Sequence, residues 1–304
     1  MKSPRSAYPP SVWAALLSVY VVWGSTYLAI RFAVGAIPPF LMGGTRFLAA
    51  GAILYAVLRA AGMPRPRAAH WRSTALIGFL LIAVANGGVC WAEQKVPSGV
   101  SCLLVATVPI WMVLLDWLWK GNGRPGPRLW AGLLLGFGGT AWLGLSGGEV
   151  SGGDPARVLG LAAFPLAWAV GSLYARSAPL PASPLMATAL EMLWGGVFQL
   201  LAGLVTGEFS QMGPIPALAA WSWVYLTLVG SLVGFTSYIW VLQRSNPALA
   251  SSYAFVNPVI AVLLGWVFAG EPLTLPVAGA TALIVAGVVL ITRANPRRAR
   301  RRVG

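Results

Sequence analysis

Apolar stretches of about twenty residues follow one another almost from end to end of this 304-residue chain, parted by short turns rich in Pro, Gly and charge. A bilayer core of about 30 Å needs roughly 20 apolar residues per helix, and a segment in lipid must satisfy its own backbone hydrogen bonds, which a helix does. The chain is 58% hydrophobic and only 9% charged, against the roughly 25% charged residues of a soluble domain. The expected fold is therefore all-α integral membrane. Ten spans are predicted, at 12–33, 38–59, 74–93, 98–119, 128–146, 157–176, 184–206, 219–243, 247–269 and 275–292. Lys2 and Arg5 before the first apolar run imitate a signal peptide, but nine further spans follow, so the first is read as a retained anchor.

The net charge of +14 would suit nucleic acid if it lay on one face, but the basic residues fall in alternate loops. Seventeen lie on one side, from Lys2 and Arg5 through Arg59, Lys120, Arg176 and Arg244 to the tail ending at Arg302; the other side receives Lys95 and Arg157. Glu93, Glu149, Asp154, Glu208 and Glu271 join that second side. The positive-inside rule puts the seventeen in the cytoplasm, with both termini, as in a multi-pass protein of a bacterial inner membrane. Nucleic acid is excluded as a partner by this distribution, and the tail gains contact with anionic lipid as an option. Trp13, Trp71, Trp117, Trp119, Trp130, Trp221, Trp223 and Trp266 near span ends suit the headgroup zone. Cys90 and Cys102 read as two small buried side chains.

The chain also looks duplicated. Trp91-Ala92-Glu93-Gln94-Lys95 sets against Trp240-Val241-Leu242-Gln243-Arg244 at an offset of 149, which also carries Pro109 onto Pro258 and Trp117 onto Trp266. Gly24-Ser25-Thr26-Tyr27 followed by Arg31 matches Gly171-Ser172-Leu173-Tyr174 followed by Arg176. Residues 1–150 and 151–304 are read as two five-helix repeats of one transporter unit, the second ending in the basic cytoplasmic tail. An odd number of spans per repeat inverts the second copy, the arrangement on which alternating access is built, with substrate held near the midplane.

The residues further resemble a known family, the ten-helix EamA-type branch of the drug/metabolite transporter superfamily. The resemblance rests on Trp23-Gly24-Ser25-Thr26-Tyr27, Pro38-Pro39 through Arg46-Phe47, Val96-Pro97-Ser98-Gly99, and Asn246-Pro247-Ala248 through Asn257-Pro258-Val259. It implies export of amino acids or related metabolites, with helices one to four and six to nine around a cavity and helices five and ten peripheral.

Ionisable groups in a bilayer core are costly and mark functional sites by default, which singles out Arg46 and Glu191. An offset of 145 makes them equivalent, each about eight residues, or roughly 12 Å, from opposite surfaces. They are natural handles for the carboxylate and the ammonium of an amino acid. Pro109 and Pro258 free the carbonyls of Val105 and Ala254, with Tyr253 and Asn257 beside the second. Trp23, Trp168 and Trp194 lie mid-span as candidate cavity walls, and Tyr27, Asn86 and Tyr238 add hydrogen-bonding tips. Gly132 and Gly136 suit close helix packing, and Asp116 beside Lys120 suits the interface.

A secondary transporter exporting small metabolites, amino acids foremost, is the expected function. Multidrug efflux of lipophilic cations is the alternative within transport, since one carboxylate amid aromatic walls would suit them. A membrane enzyme acting on lipid is the rival class, but the single histidine, His70, lies in a loop and the membrane carboxylates are unpaired. No metal cluster or phosphate-binding loop is present in the sequence, so no cofactor is expected. The expected partners are a small-molecule substrate and membrane lipids, with proton coupling and a homodimer open to such a chain.

Overall fold

The computed structural model describes residues 8–94, 104–146, 155–269 and 274–294. Cys102, the Val96 to Gly99 motif, Lys95, Glu149, Asp154, Glu271 and the tail from Arg297 lie outside the described residues.

The described chain is helical throughout. Helix α1 is Pro10–Val34 and α2 is Pro39–Ala60; α3 is the rod Ala68–Ala92, α4 is Val108–Leu118 and α5 is Pro127–Ser146. Helix α6 is Pro155–Ala175 and α7 is Pro184–Val205; α8 is the rod Ala217–Arg244, α9 is Tyr253–Ala269 and α10 is Leu275–Arg293. A short helix, Pro247–Ser251, leads into α9. Six of these helices, α1, α2, α3, α7, α8 and α10, are long and apolar enough to cross a membrane.

Local chemistry places the ends. Proline occupies the first turn of α1, α2, α4, α7 and α10, where its missing N–H would have no partner in any case. Gly62 and Gly207 follow α2 and α7 with φ of +81° and +70°, a left-handed stop that glycine adopts without steric penalty. They stand at the same offset as Arg46 and Glu191, so two equivalent helices end in the same way. Asn246 caps the short helix by accepting the Leu249 N–H at 2.7 Å. Pro109, expected to kink a continuous helix, instead starts α4 after a turn at Ala106 and Thr107. Arg31 lies in the last turn of α1, at the end away from the seventeen, and adds to the sparse basic residues there.

Leu17, Val57, Leu204, Val205 and Trp221 are more than half exposed on the outside of the bundle. In water such a surface would drive aggregation; lipid is its matching solvent.

Inside the bundle the most extensive contacts repeat between the halves. Helix α2 packs most extensively on α7 and α5 on α10, while α1 lies on α9 and α8 just as α6 lies on α4 and α3. Both self-equivalent pairs run antiparallel: Gly44 faces Leu200 while Gly51 faces Leu193, and Gly132 faces Ile291 while Gly139 faces Ala280 and Ile284. A helix antiparallel to its own equivalent means that the two halves enter the membrane in opposite directions. Gly132 and Gly136 serve the α5–α10 contact, where a Cβ on Gly287 would lie 2.6 Å from the Gly136 nitrogen.

Helices α3 and α8 share a second feature. Each widens into a π-helical stretch, Phe79–Asn86 and Leu226–Phe235, and the two stretches end 149 residues apart, in the register of the duplication. Such widened turns expose backbone groups and recur at functional sites.

Candidate functional site

A cavity of about 110 Å³ opens between the helices. Helix α1 contributes Trp23, Thr26, Tyr27 and Ile30, and α2 contributes Arg46 and Phe47; α3 gives Ala85, Asn86, Val89 and Cys90 from the end of its π stretch onward. Val105 and Val108 come from α4 and the turn before it, Phe164, Pro165 and Trp168 from α6, Gly230 and Phe235 from α8, and Tyr253 and Asn257 from α9. The wall is mostly apolar, so the few polar atoms in it decide what can bind.

Those atoms are complementary in sign. The Arg46 side chain is 3% exposed; its Nε donates to Ser231 Oγ at 2.8 Å and its guanidinium lies 4.5 Å from the Phe47 ring centroid, but Nη1 has no partner. In the same wall the Oδ1 atoms of Asn86 and Asn257 are equally without partners. A buried polar group with no hydrogen bond is unstable unless something supplies one. The cavity thus holds a charged donor and two neutral acceptors, all waiting, and among the described residues no carboxylate lines it.

Aromatic rings floor the cavity. Trp23 stands edge-on to Tyr253 at 4.8 Å and to Trp168 at 5.7 Å, and Tyr238 lies 5.2 Å from both tryptophans. Trp23 and Trp168 are 145 residues apart, so the floor is built from equivalent positions. Hydrogen bonds fix the rings: Trp23 Nε1 donates to the Gly230 carbonyl, and Trp168 Nε1 donates to the Tyr238 hydroxyl at 2.8 Å, which also meets Ser172 Oγ at 2.6 Å. Below the floor, toward Arg176 and Arg244, Val12, Leu16, Leu173, Leu242 and Leu249 form a core with almost no exposure. That end is further closed by Tyr8, whose hydroxyl accepts from Asn246, by Tyr20 against Ser252, and by Arg176 donating to the Ser245 carbonyl.

Of the ten residues singled out in the sequence, Trp23, Tyr27, Arg46, Asn86, Trp168, Tyr253 and Asn257 come together in this wall. Glu191, Trp194 and Tyr238 do not. Helix α7, expected from the sequence to border the cavity, contributes no lining residue to it. Trp194 turns to Phe198 and Trp71, and Tyr238 spends its hydroxyl within the floor. Glu191 is fully buried between α7 and its neighbours. The antiparallel register that sets Gly51 against Leu193 puts Glu191 and Arg46 on opposite sides of the α2–α7 crossing, about 10 Å apart along the axis, so they do not act as a pair.

Sequence reasoning missed Thr26, Phe47, Phe164 and Phe235 in the wall and Ser231 as the partner of Arg46. Gly230-Ser231, two small residues inside the apolar run of α8, were the available signal. Asp116, read as interfacial, accepts a hydrogen bond from the exposed Asn122.

Comparison with known proteins gives consistent results. The model of the EamA-like transporter family matches twice, over residues 10–145 and 157–293. An inner membrane transporter of Escherichia coli K12, YedA, itself uncharacterised, is 41% identical over 283 residues, covering 92% of this chain and 90% of that one. A protein of Streptantibioticus cattleyicolor named as a probable terminal-alkyne amino-acid exporter is 30% identical over 290 residues, with 93% of each chain covered. A solved crystal structure, 22% identical, superposes with a TM-score of 0.77 over 93% of this chain and 97% of its own and shares the fold.

Proposed function

Because this chain belongs to the EamA-like transporter family, we propose that it exports small metabolites bearing a carboxylate and an amine, amino acids foremost, by alternating access through the Arg46 cavity. The observation that carries this reading is the match of unpaired groups. Arg46 Nη1 offers a charged donor to a carboxylate, and Asn86 Oδ1 and Asn257 Oδ1 offer acceptors to an ammonium. An Arg–carboxylate bond in a dry site is among the stronger polar contacts available to a protein. The aromatic floor and the apolar wall leave the side chain of the substrate to be held by shape. Supporting this, one relative carries an amino-acid exporter's name. A lipophilic cation fits less well, because its charge would meet a guanidinium and no carboxylate.

The opposed halves support rocking about the α2–α7 axis, and the packed core on the side of Arg176 and Arg244 corresponds to a state closed toward the cytoplasm. In this reading both termini lie in the cytoplasm.

Efflux from proteoliposomes preloaded in parallel with labelled neutral, aromatic and acidic amino acids tests the proposal. Saturable efflux of at least one class, competed by unlabelled amino acid outside, is expected. Absence of flux for every class, with a lipophilic cation moved instead, would overturn it.

A further inference from the structure

Glu191 is the buried ionisable group that the cavity leaves unused. Its side chain is 0% exposed, and neither carboxylate oxygen has a hydrogen-bond partner. Charge at membrane depth without a counterion is expensive, and groups kept there mark ion or proton pathways; a bound proton removes the charge. We propose that Glu191 is a proton site, and that proton entry through it drives substrate outward; this rests on the transport reading above.

Two contacts link the carboxylate's surroundings to the cavity. The first is the π stretch of α3. Gly78, just before it, sits so close to α7 that a Cβ there would lie 2.4 Å from the Glu191 carbonyl oxygen, and a Cβ on Gly195 would lie 2.4 Å from Ile82. Gln199 Nε2 donates to the Ile82 carbonyl at 2.6 Å. The same stretch then delivers Ala85 and Asn86 to the cavity wall. A change at Glu191 that shifts α7 against this stretch therefore moves Asn86. The second is α8, whose segment Thr236–Arg244 packs on α7 and carries Tyr238, the acceptor of the Trp168 Nε1–H of the floor.

Among the described residues no other group competes for the role. The elements packed on α7 carry Arg46, Tyr55 and Arg59 on α2, His70, Arg72 and Cys90 on α3, Tyr225, Tyr238 and Arg244 on α8, and Glu208 in the turn Glu208–Gln211. None of them makes a hydrogen bond to the Glu191 carboxylate. Glu208 is committed elsewhere, accepting the backbone N–H groups of Phe40 and Leu41 at the start of α2. In each cycle one proton adds to a carboxylate oxygen of Glu191 from the outer side and leaves to the cytoplasm, with no bond to substrate made or broken.

The experiment is efflux from proteoliposomes with acid outside, set beside counterflow at equal pH. In the native protein the gradient is expected to accelerate efflux about tenfold. Glu191→Gln is expected to keep counterflow above that of empty liposomes and to lose the acceleration. Acceleration that survives in Glu191→Gln, or a native protein indifferent to the gradient while counterflow proceeds, overturns the proposal and leaves the transport reading intact. Absence of native counterflow overturns both. Where Glu191→Gln shows no counterflow, Glu191→Asp decides: the pH profile of efflux is expected to move by about one unit, and an unmoved profile overturns the proposal.

Discussion

Arg46→Ala is expected to reduce amino-acid efflux by two orders of magnitude or more while the protein still inserts and purifies. Truncating one partner of a buried, hydrogen-bonded charge pair costs about 2–5 kcal/mol, and each 1.4 kcal/mol is about tenfold in an equilibrium constant. Arg46 holds Ser231 with Nε and leaves Nη1 for the substrate, so the two tasks can be separated. Arg46→Lys keeps the charge but loses the fork that serves both at once, and should recover only part of the flux. Ser231→Ala leaves the charge in place and removes its tether; the expected result is weaker apparent affinity with flux retained at high substrate. Equal flux in native protein and Arg46→Ala would remove the guanidinium from the site.

Gly196→Val should remove transport by a different route. A Cβ at Gly196 would lie 2.6 Å from the Leu48 nitrogen and 2.9 Å from the Gly44 carbonyl oxygen. Both are helix backbone, which cannot swing aside as the end of a side chain can. Overpacking of this kind typically costs about 1–3 kcal/mol, and here it pushes apart the two helices about which the halves are arranged. Thermal unfolding in detergent and counterflow should fall together. Gly287→Val supplies the comparison, since its Cβ would lie 2.6 Å from the Gly136 nitrogen and 2.7 Å from the Gly132 carbonyl oxygen. That clash parts α5 from α10, which contribute no cavity residue. Similar destabilisation with counterflow preserved is expected there, and loss of counterflow in both variants alike would deny the α2–α7 pair its special place.

The helices were legible because their ends are chemically marked. Pro10, Pro39 and Pro184 open helices, and Gly62 and Gly207 close them, within a residue or two of where apolar runs begin and end. The third helix starts six residues earlier than its apolar run, at Ala68, because His70 and Arg72 lower the hydropathy of its first turns without preventing helix. Arg46 was legible by the cost of charge in lipid. The same rule found Glu191 but could not say which way it faces, since burial against α3 and exposure to a cavity look alike in a single sequence. The π stretches were not legible: Phe79–Asn86 and Leu226–Phe235 have the composition of ordinary apolar helix. Each ends on a residue of the cavity wall, Asn86 in one and Phe235 in the other. Nor could the sequence show that Tyr238 belongs to the floor, with its hydroxyl meeting Ser172 and Trp168 there.

The measurement that bears most directly on the Arg46 cavity is a binding titration of purified protein, followed by tryptophan fluorescence, to which Trp23 and Trp168 of the wall contribute, with a transported amino acid and with its carboxamide. The account predicts that the acid binds at least a hundredfold more tightly than the amide, and that Arg46→Ala removes most of the difference. Equal binding of acid and amide by the native protein would contradict it.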